Sequence, residues 1–138
     1  MAEQLKFELV TPQRKVVSEY IDEIVATGTL GEFGVLPGHA PFLTSLKIGE
    51  LSYRKGSEVH HLAVNTGYFE VVNDVATALV ETSEYADEID LERAKRAQTR
   101  AEEALKRLAQ DEKDYKEMEA ALQRALIRMQ VAAKAARR

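Results

Sequence analysis

The 138 residues include no cysteine. This excludes disulfides, thiolate zinc sites and cysteine nucleophiles, and fits a reducing compartment. No apolar run reaches the roughly 18 residues that a membrane-spanning helix needs. The opening segment MAEQLKFELV lacks the basic start and apolar stretch of a secretory leader and is not read as one. Backbone breakers are scarce and uneven. Glycine occurs at 28, 31, 34, 38, 49, 56 and 67 and proline at 12, 37 and 41, so the 71 residues after Gly67 contain neither. Beyond Tyr85 the only aromatic residue is Tyr115. Charge divides at nearly the same place: residues 1–88 carry net −8 and residues 89–138 net +4. The basic half interleaves its cations with Glu and Asp, which argues against a nucleic-acid surface. With 45% hydrophobic and 30% charged residues the chain has the composition of a folded protein rather than a disordered one.

The breaker-rich half has the pattern of short strands. Leu5, Phe7 and Leu9 alternate with Lys6 and Glu8, the two-residue period of a half-buried strand. Thr11-Pro12-Gln13 interrupts the chain, Ile21 to Thr27 is a second strand rich in β-branched residues, and Gly28 to Pro41 reads as a long loop. Residues 51–54 and 59–64 flank the turn Lys55-Gly56-Ser57, and residues 68–72 and 75–80 flank Asn73-Asp74. Both have the form of β-hairpins. Turns at such short intervals predict an antiparallel sandwich or barrel. Its expected core is Leu5, Phe7, Leu9, Ile24, Val35, Leu46, Ile48, Leu62, Val64, Phe69, Val71 and Leu79.

The breaker-free half predicts two helices. Asp87 or Asp90 caps the first, which runs through Ala94 to Ala109. Residues 110–114 form the connection, and Asp114 with Glu117 resembles a capping box opening the second. Ala94, Ala97, Ala101, Ala104 and Leu108 on one segment, and Tyr115, Met118, Leu122, Ala125, Met129, Ala132 and Ala136 on the other, recur at alternating steps of three and four. This is the seam of an antiparallel hairpin. Alanine permits close approach but buries little area, so the hairpin reads either as an element that changes its docking at low cost or as a static packing unit. The fold class is therefore α+β, with a β-sandwich domain at 1–86 followed by a helical hairpin at 87–138.

No catalytic set emerges. The sequence has no phosphate-binding glycine fingerprint. His60 and His61 are neighbours on a strand and point to opposite faces, so they do not form a metal site. His39 stands in a Gly/Pro stretch without a second ligand. One cluster carries chemistry: Asp90, Arg93 and Arg100 share a face of the first helix, and Arg124 and Arg128 share a face of the second. A folded-back hairpin would let four guanidiniums, each suited to bidentate phosphate contact, converge near one carboxylate. The competing reading is a solvated charged face with Asp90 as a helix cap.

The segment Gly31-Glu32-Phe33-Gly34-Val35-Leu36-Pro37-Gly38-His39-Ala40-Pro41-Phe42 resembles the epsilon-subunit family of bacterial F-type ATP synthases. Asn65-Thr66-Gly67-Tyr68-Phe69-Glu70-Val71 resembles a strand of that family, with Thr66 in place of a glycine. Ile89-Asp90-Leu91-Glu92-Arg93-Ala94 and Leu122-Gln123-Arg124-Ala125-Leu126-Ile127-Arg128 resemble its two helical motifs. The resemblance implies a sandwich of about ten strands and a non-catalytic central-stalk role. The subunit would dock on the gamma subunit and the c-ring and help couple proton-driven rotation to ATP synthesis. It also implies a hairpin that lies compact on the sandwich or extends into the alpha/beta catalytic ring, where it inhibits ATP hydrolysis. By the same resemblance Glu32 and His39 belong to the rotor-contact region. Glu84, Asp90, Arg93, Ala94, Arg100, Arg124 and Arg128 match positions that bind ATP in some members. ATP would then be a regulatory ligand rather than a required cofactor, no metal is implied, and the chain would be peripheral, on the cytoplasmic face of the inner membrane as part of F1. The alternative is a stand-alone adaptor, with a sandwich for one partner and a hairpin for a helical one.

Overall fold

A computed structural model describes residues 3–135. Ten strands come first: β1 (Leu5–Val10), β2 (Lys15–Ile21), β3 (Glu23–Gly28), β4 (Gly31–Val35), β5 (Phe42–Leu46), β6 (Gly49–Lys55), β7 (Glu58–Val64), β8 (Gly67–Val72), β9 (Val75–Val80) and β10 (Ser83–Tyr85). A 3₁₀ turn, Ala86–Glu88, leads into α1 (Leu91–Arg107) and α2 (Lys113–Ala135). The strands pair in the order β10-β7-β6-β3-β5-β8-β9-β1-β2, with β4 on β3. The sheet folds on itself at one narrow corner, where Gly28 pairs with Leu46, and this makes two facing layers of a sandwich. One pairing departs from the antiparallel expectation: β1 runs parallel to β9, with Phe7 beside Ala76 and Leu9 beside Ala78.

Both expected hairpins form. Asn73 and Asp74 each take positive φ, 50° and 61°, as a tight two-residue turn between twisted strands requires. The stretch from Gly28 to Pro41 is not all loop, because Gly31–Val35 returns antiparallel along β3. Its glycines hid the strand: Gly31 and Gly34 leave only Phe33 and Val35 facing the core.

The core holds ten of the twelve expected residues; Ile48 is half-buried and Leu79 is 52% exposed. Leu79 takes the outward face of its strand instead. Along β9 the inward residues are Ala76, Ala78 and Val80. Ala76 lies between Phe7 and Val71, and Ala78 between Leu9 and Phe69. With large side chains on both flanking strands, only methyl-sized residues fit between them, so the phase of burial runs opposite to side-chain size.

At the rim of the core the Tyr53 and Tyr85 hydroxyls share a 2.8 Å hydrogen bond, and Tyr53 also donates to Glu19 at 3.4 Å. His60 stacks on Tyr53 with ring centroids 4.9 Å apart. Burial pushes the Tyr53 phenol well above its ordinary value, reinforced by Tyr85 and then Glu19. Burial likewise raises Tyr85. The unfolded chain releases these protons near pH 10 while the folded chain holds them, so the stability they confer is complete below that pH and falls as pH rises above it. The alkaline limb of a stability profile should therefore be shallower in Tyr53→Phe than in the parent, which denaturant melts between pH 9 and 11 would reveal.

The Asp90 carboxylate accepts from the Arg93 amide at 3.1 Å and caps α1. The second expected cap is displaced. Asp114 lies inside the first turn of α2, and the connection is instead closed by Glu112, whose carboxylate accepts from the Ala109 amide at 3.3 Å. Ala94, Ala101 and Ala125 are buried in the helix–helix seam. Ala136 falls outside the described residues.

Candidate regulatory and docking surfaces

The two layers of the sandwich present different outer faces. On the β6–β7 layer, Leu51, Tyr53, Leu62 and Val64 point into the core, so Glu50, His61 and Ala63 point out. Helix α2 covers this face. Ala63, Ala86 and Val131 are buried together, with Ile89, Ile127 and Ala135 packed around them. Ala63 is small enough to let the helix approach. Full burial of Val131 contributes about 1.5–3 kcal/mol, so the apolar part of this docking is modest beside the sandwich core. The sequence reading missed Ile127 and Val131. They are four apart and offset from the alanine seam, a second stripe on α2 that marks a second packing partner.

Two ion pairs flank this apolar contact. Arg128 binds Glu84 through two nitrogens, at 2.7 and 3.2 Å. Lys134 lies 2.7 Å from both oxygens of Glu50, and His61 Nδ1 lies 2.9 Å from one of them. A carboxylate only accepts, so Nδ1 carries the hydrogen. Glu84, Arg124 and Arg128 line one small cavity with Ile48, Asn65, Thr82 and Ile127. Its volume of about 30 Å³ suits a water molecule, not a nucleotide. Of the residues singled out for anion binding, Asp90, Arg93, Ala94 and Arg100 line no part of it. Asp90 is occupied as a cap, Ala94 is buried in the seam, and Arg93 and Arg100 are exposed on α1. Among the described residues no group of three or more His, Asp or Glu is placed to hold a metal.

The opposite layer leaves its outer face open. Ser45, Tyr68, Leu79 and Val10 follow one another across β5, β8, β9 and β1. Leu43, Tyr68 and Leu79 are all more than half exposed. A groove of about 600 Å³ runs along this face, bounded by Val10, Pro12, Thr66, Tyr68, Leu79 and Glu81. Exposed apolar side chains gathered in this way make the face a candidate interaction surface.

Glu32 is exposed beside the β3–β4 turn, whose Leu30 is 98% exposed. His39 lies in the loop at the other end of β4. Its Nδ1 is 2.7 Å from the Ala40 carbonyl oxygen, its ring meets Phe42 edge-on, and the neighbouring Gly38 amide donates to Asp74 at 2.7 Å. Glu32 and His39 therefore belong to opposite ends of one strand. His39 is tied into its loop, whereas Glu32 is presented outward.

The family comparisons cover nearly all of the chain. The model described as ATP synthase, Delta/Epsilon chain, beta-sandwich domain, matches residues 4–86, and the model for the long alpha-helix domain of the same chain matches residues 87–133. Proteins named ATP synthase epsilon chain from Geobacter sulfurreducens and Trichlorobacter lovleyi are 70% and 63% identical over 138 residues, covering the whole of both chains. Among solved structures, a chain of the Euglena gracilis mitochondrial ATP synthase matches with TM-score 0.80 at 23% identity, covering 100% of this chain and 84% of that one. A chain of the Tetrahymena thermophila enzyme's central stalk and c-ring matches with TM-score 0.56 at 17% identity, covering 98% of each. These two likenesses are of fold. Two matched domains in sequence, full-length identity and the strand-then-helix architecture agree, and the chain belongs to the ATP synthase epsilon-chain family.

Proposed function

We propose that the chain is a non-catalytic central-stalk subunit, fixed to the rotor by its sandwich and regulating ATP hydrolysis through its hairpin. The observation that carries this reading is the asymmetry of the sandwich. One outer face is covered by the chain's own hairpin, and the other exposes the apolar strip of Leu43, Tyr68 and Leu79. The open face suits a permanent partner, the gamma subunit of the rotor. The exposed Leu30–Glu32 turn suits a polar ring of loops such as the c-ring presents. The hairpin, held by a small apolar contact and two ion pairs, suits an element that leaves the sandwich and reaches the alpha/beta catalytic ring. The net +4 of residues 89–138 favours an acidic receiving surface there. Among the described residues no helix is long and apolar enough to cross a membrane. We read the chain as held at the membrane through the assembled enzyme, on its cytoplasmic F1 side.

Truncation before Asp87 tests the regulatory role directly. The assembled complex carrying the shortened chain should hydrolyse ATP faster than the complex with the full chain, and equal rates would remove inhibition by the hairpin from this reading.

ATP is the finer part of the proposal. Glu84, Arg124 and Arg128 supply one carboxylate and two guanidiniums at the hairpin–sandwich junction. Arg93 and Arg100 would complete the phosphate set after a shift of α1, with Asp90 and Ala94 framing the base. The cavity is closed by the Glu84–Arg128 pair, so a nucleotide would have to separate that pair, and its binding should be weak. Calorimetric titration of the full chain with ATP should give a millimolar-range isotherm that Arg128→Ala abolishes. Absence of heat in the parent chain would exclude the sensor role.

A further inference from the structure

The end of α2 is fastened to the sandwich at a point distant from the arginine cluster. Glu50 is a carboxylate with 17% of its side chain exposed, on a strand whose other face lines the core. It accepts from Lys134 at both oxygens and from His61 at one. His61 belongs to β7, next to β6, so Glu50 and His61 form a receptor that stays with the sandwich when the helix is absent. Lys134 arrives from the last turn of α2, 84 residues along the chain. The helix C-terminus favours a cation at this place. The fully buried Val131, three residues earlier, lies on the same face of α2 as Lys134, so seating the valine and closing the ion pair occur together.

We propose that Glu50 and Lys134 are the clasp that sets how long the hairpin stays docked, with His61 as the residue that positions Glu50. Three features support this. The apolar contact beneath the clasp is small, with Ala63, Ala86 and Val131 as its buried members. A partly buried carboxylate left behind by its cation loses more than an exposed one does. The pair also closes a long loop, so its rupture frees a whole segment rather than one side chain. Undocking therefore begins at residues 131–135 and proceeds toward Arg128, and added salt shifts the balance toward release by screening the pair. The clasp rests on the reading above only for its biological consequence. Its existence is testable on the full chain alone.

Amide hydrogen exchange of the isolated full chain is the test. Glu50→Gln and Lys134→Gln should each lower the protection of amides in 127–135 by about tenfold, the size expected for losing one charge-assisted contact. Amides of β8 and β9 should be unaffected. The double variant E50K/K134E should recover part of the loss, because the contact is kept with its charge order reversed. His61→Phe should lower protection less than either single charge change. Unchanged protection in both single variants would overturn the clasp, and so would a reversed pair no better than the singles, which would make Glu50 a residue of sheet stability only. Hydrolysis by the assembled complex is the separate readout: a clasp confirmed by exchange with unaltered hydrolysis in Glu50→Gln would leave the clasp standing and remove hairpin release as the inhibitory step.

Discussion

Replacing Gly67 by alanine is expected to destabilise the protein by about 3 kcal/mol, the upper range for forcing atoms into a filled space, and to lower the melting temperature by roughly 10 °C. Gly67 begins β8 and is paired on both sides, with Leu46 of β5 and Val80 of β9. Its φ is not among the positive values found at Gly31, Gly38 and Gly56, so backbone freedom is not what the position needs. It needs room. A Cβ placed there would collide with the Leu79 carbonyl oxygen and come within 2.8 Å of Val80 Cα. Both are backbone atoms of a paired strand and cannot rotate aside, so β8 and β9 would have to separate at this end. The same strands carry Tyr68 and Leu79, so the apolar strip would lose its alignment as well. Thermal melts of Gly67→Ala and, as a control, Gly34→Ala would check this. The nearest atom to a Cβ at Gly34 is 3.9 Å away, and that variant should stay close to the parent.

The second large effect belongs to Phe69. Its side chain is fully buried and meets Phe33 edge-on with centroids 5.1 Å apart, and Phe33 meets Phe42 in the same way at 5.2 Å. Phe33 comes from β4 and the other two from β8 and β5, so this aromatic row spans the two layers. Phe69→Ala is expected to cost about 3–5 kcal/mol, the sum of lost transfer energy and the cavity left behind. The flanking residues on β9 and β5, Ala78 and Thr44, are too small to collapse into the gap. The neighbouring Tyr68→Ala removes a ring that is 63% exposed and should change stability by less than about 0.5 kcal/mol. Urea melts of the two variants therefore separate the core side of β8 from its docking side. In the assembled complex their order should reverse, with Tyr68→Ala weakening retention of the chain on the rotor more than its effect on stability would suggest.

Much of the fold was legible because local rules agree with the tertiary result. Leu5, Phe7 and Leu9 show an uninterrupted period of two; Asn73-Asp74 can adopt the φ values its turn demands; Asp90 stands where a helix must begin. The unforeseen elements are those whose residues are chosen by neighbours distant in sequence. Gly31–Val35 has the composition of a loop because Gly31 takes the positive φ of the preceding turn, 127°, yet the segment pairs along β3. Ala76 and Ala78 are small because Phe7 and Phe69 are large. In the site, the arginines at 124 and 128 could be placed on one face by spacing alone, whereas Glu84 entered only by family resemblance. Glu50 and Lys134 showed no local signal at all: each is an ordinary charged residue on a polar face until the hairpin folds back across β6 and β7.

The sequence alone determined that the first part is a strand-built core and the last part a pair of alanine-seamed helices, since periodicity, turn chemistry and the distribution of glycine and proline act over a few residues. The tertiary structure decided which face of the sandwich each part uses. A strand has two faces of similar chemistry until something covers one of them, and here the cover on one layer is α2, clasped at Glu84 and Glu50, while the Tyr68–Leu79 strip on the other remains uncovered.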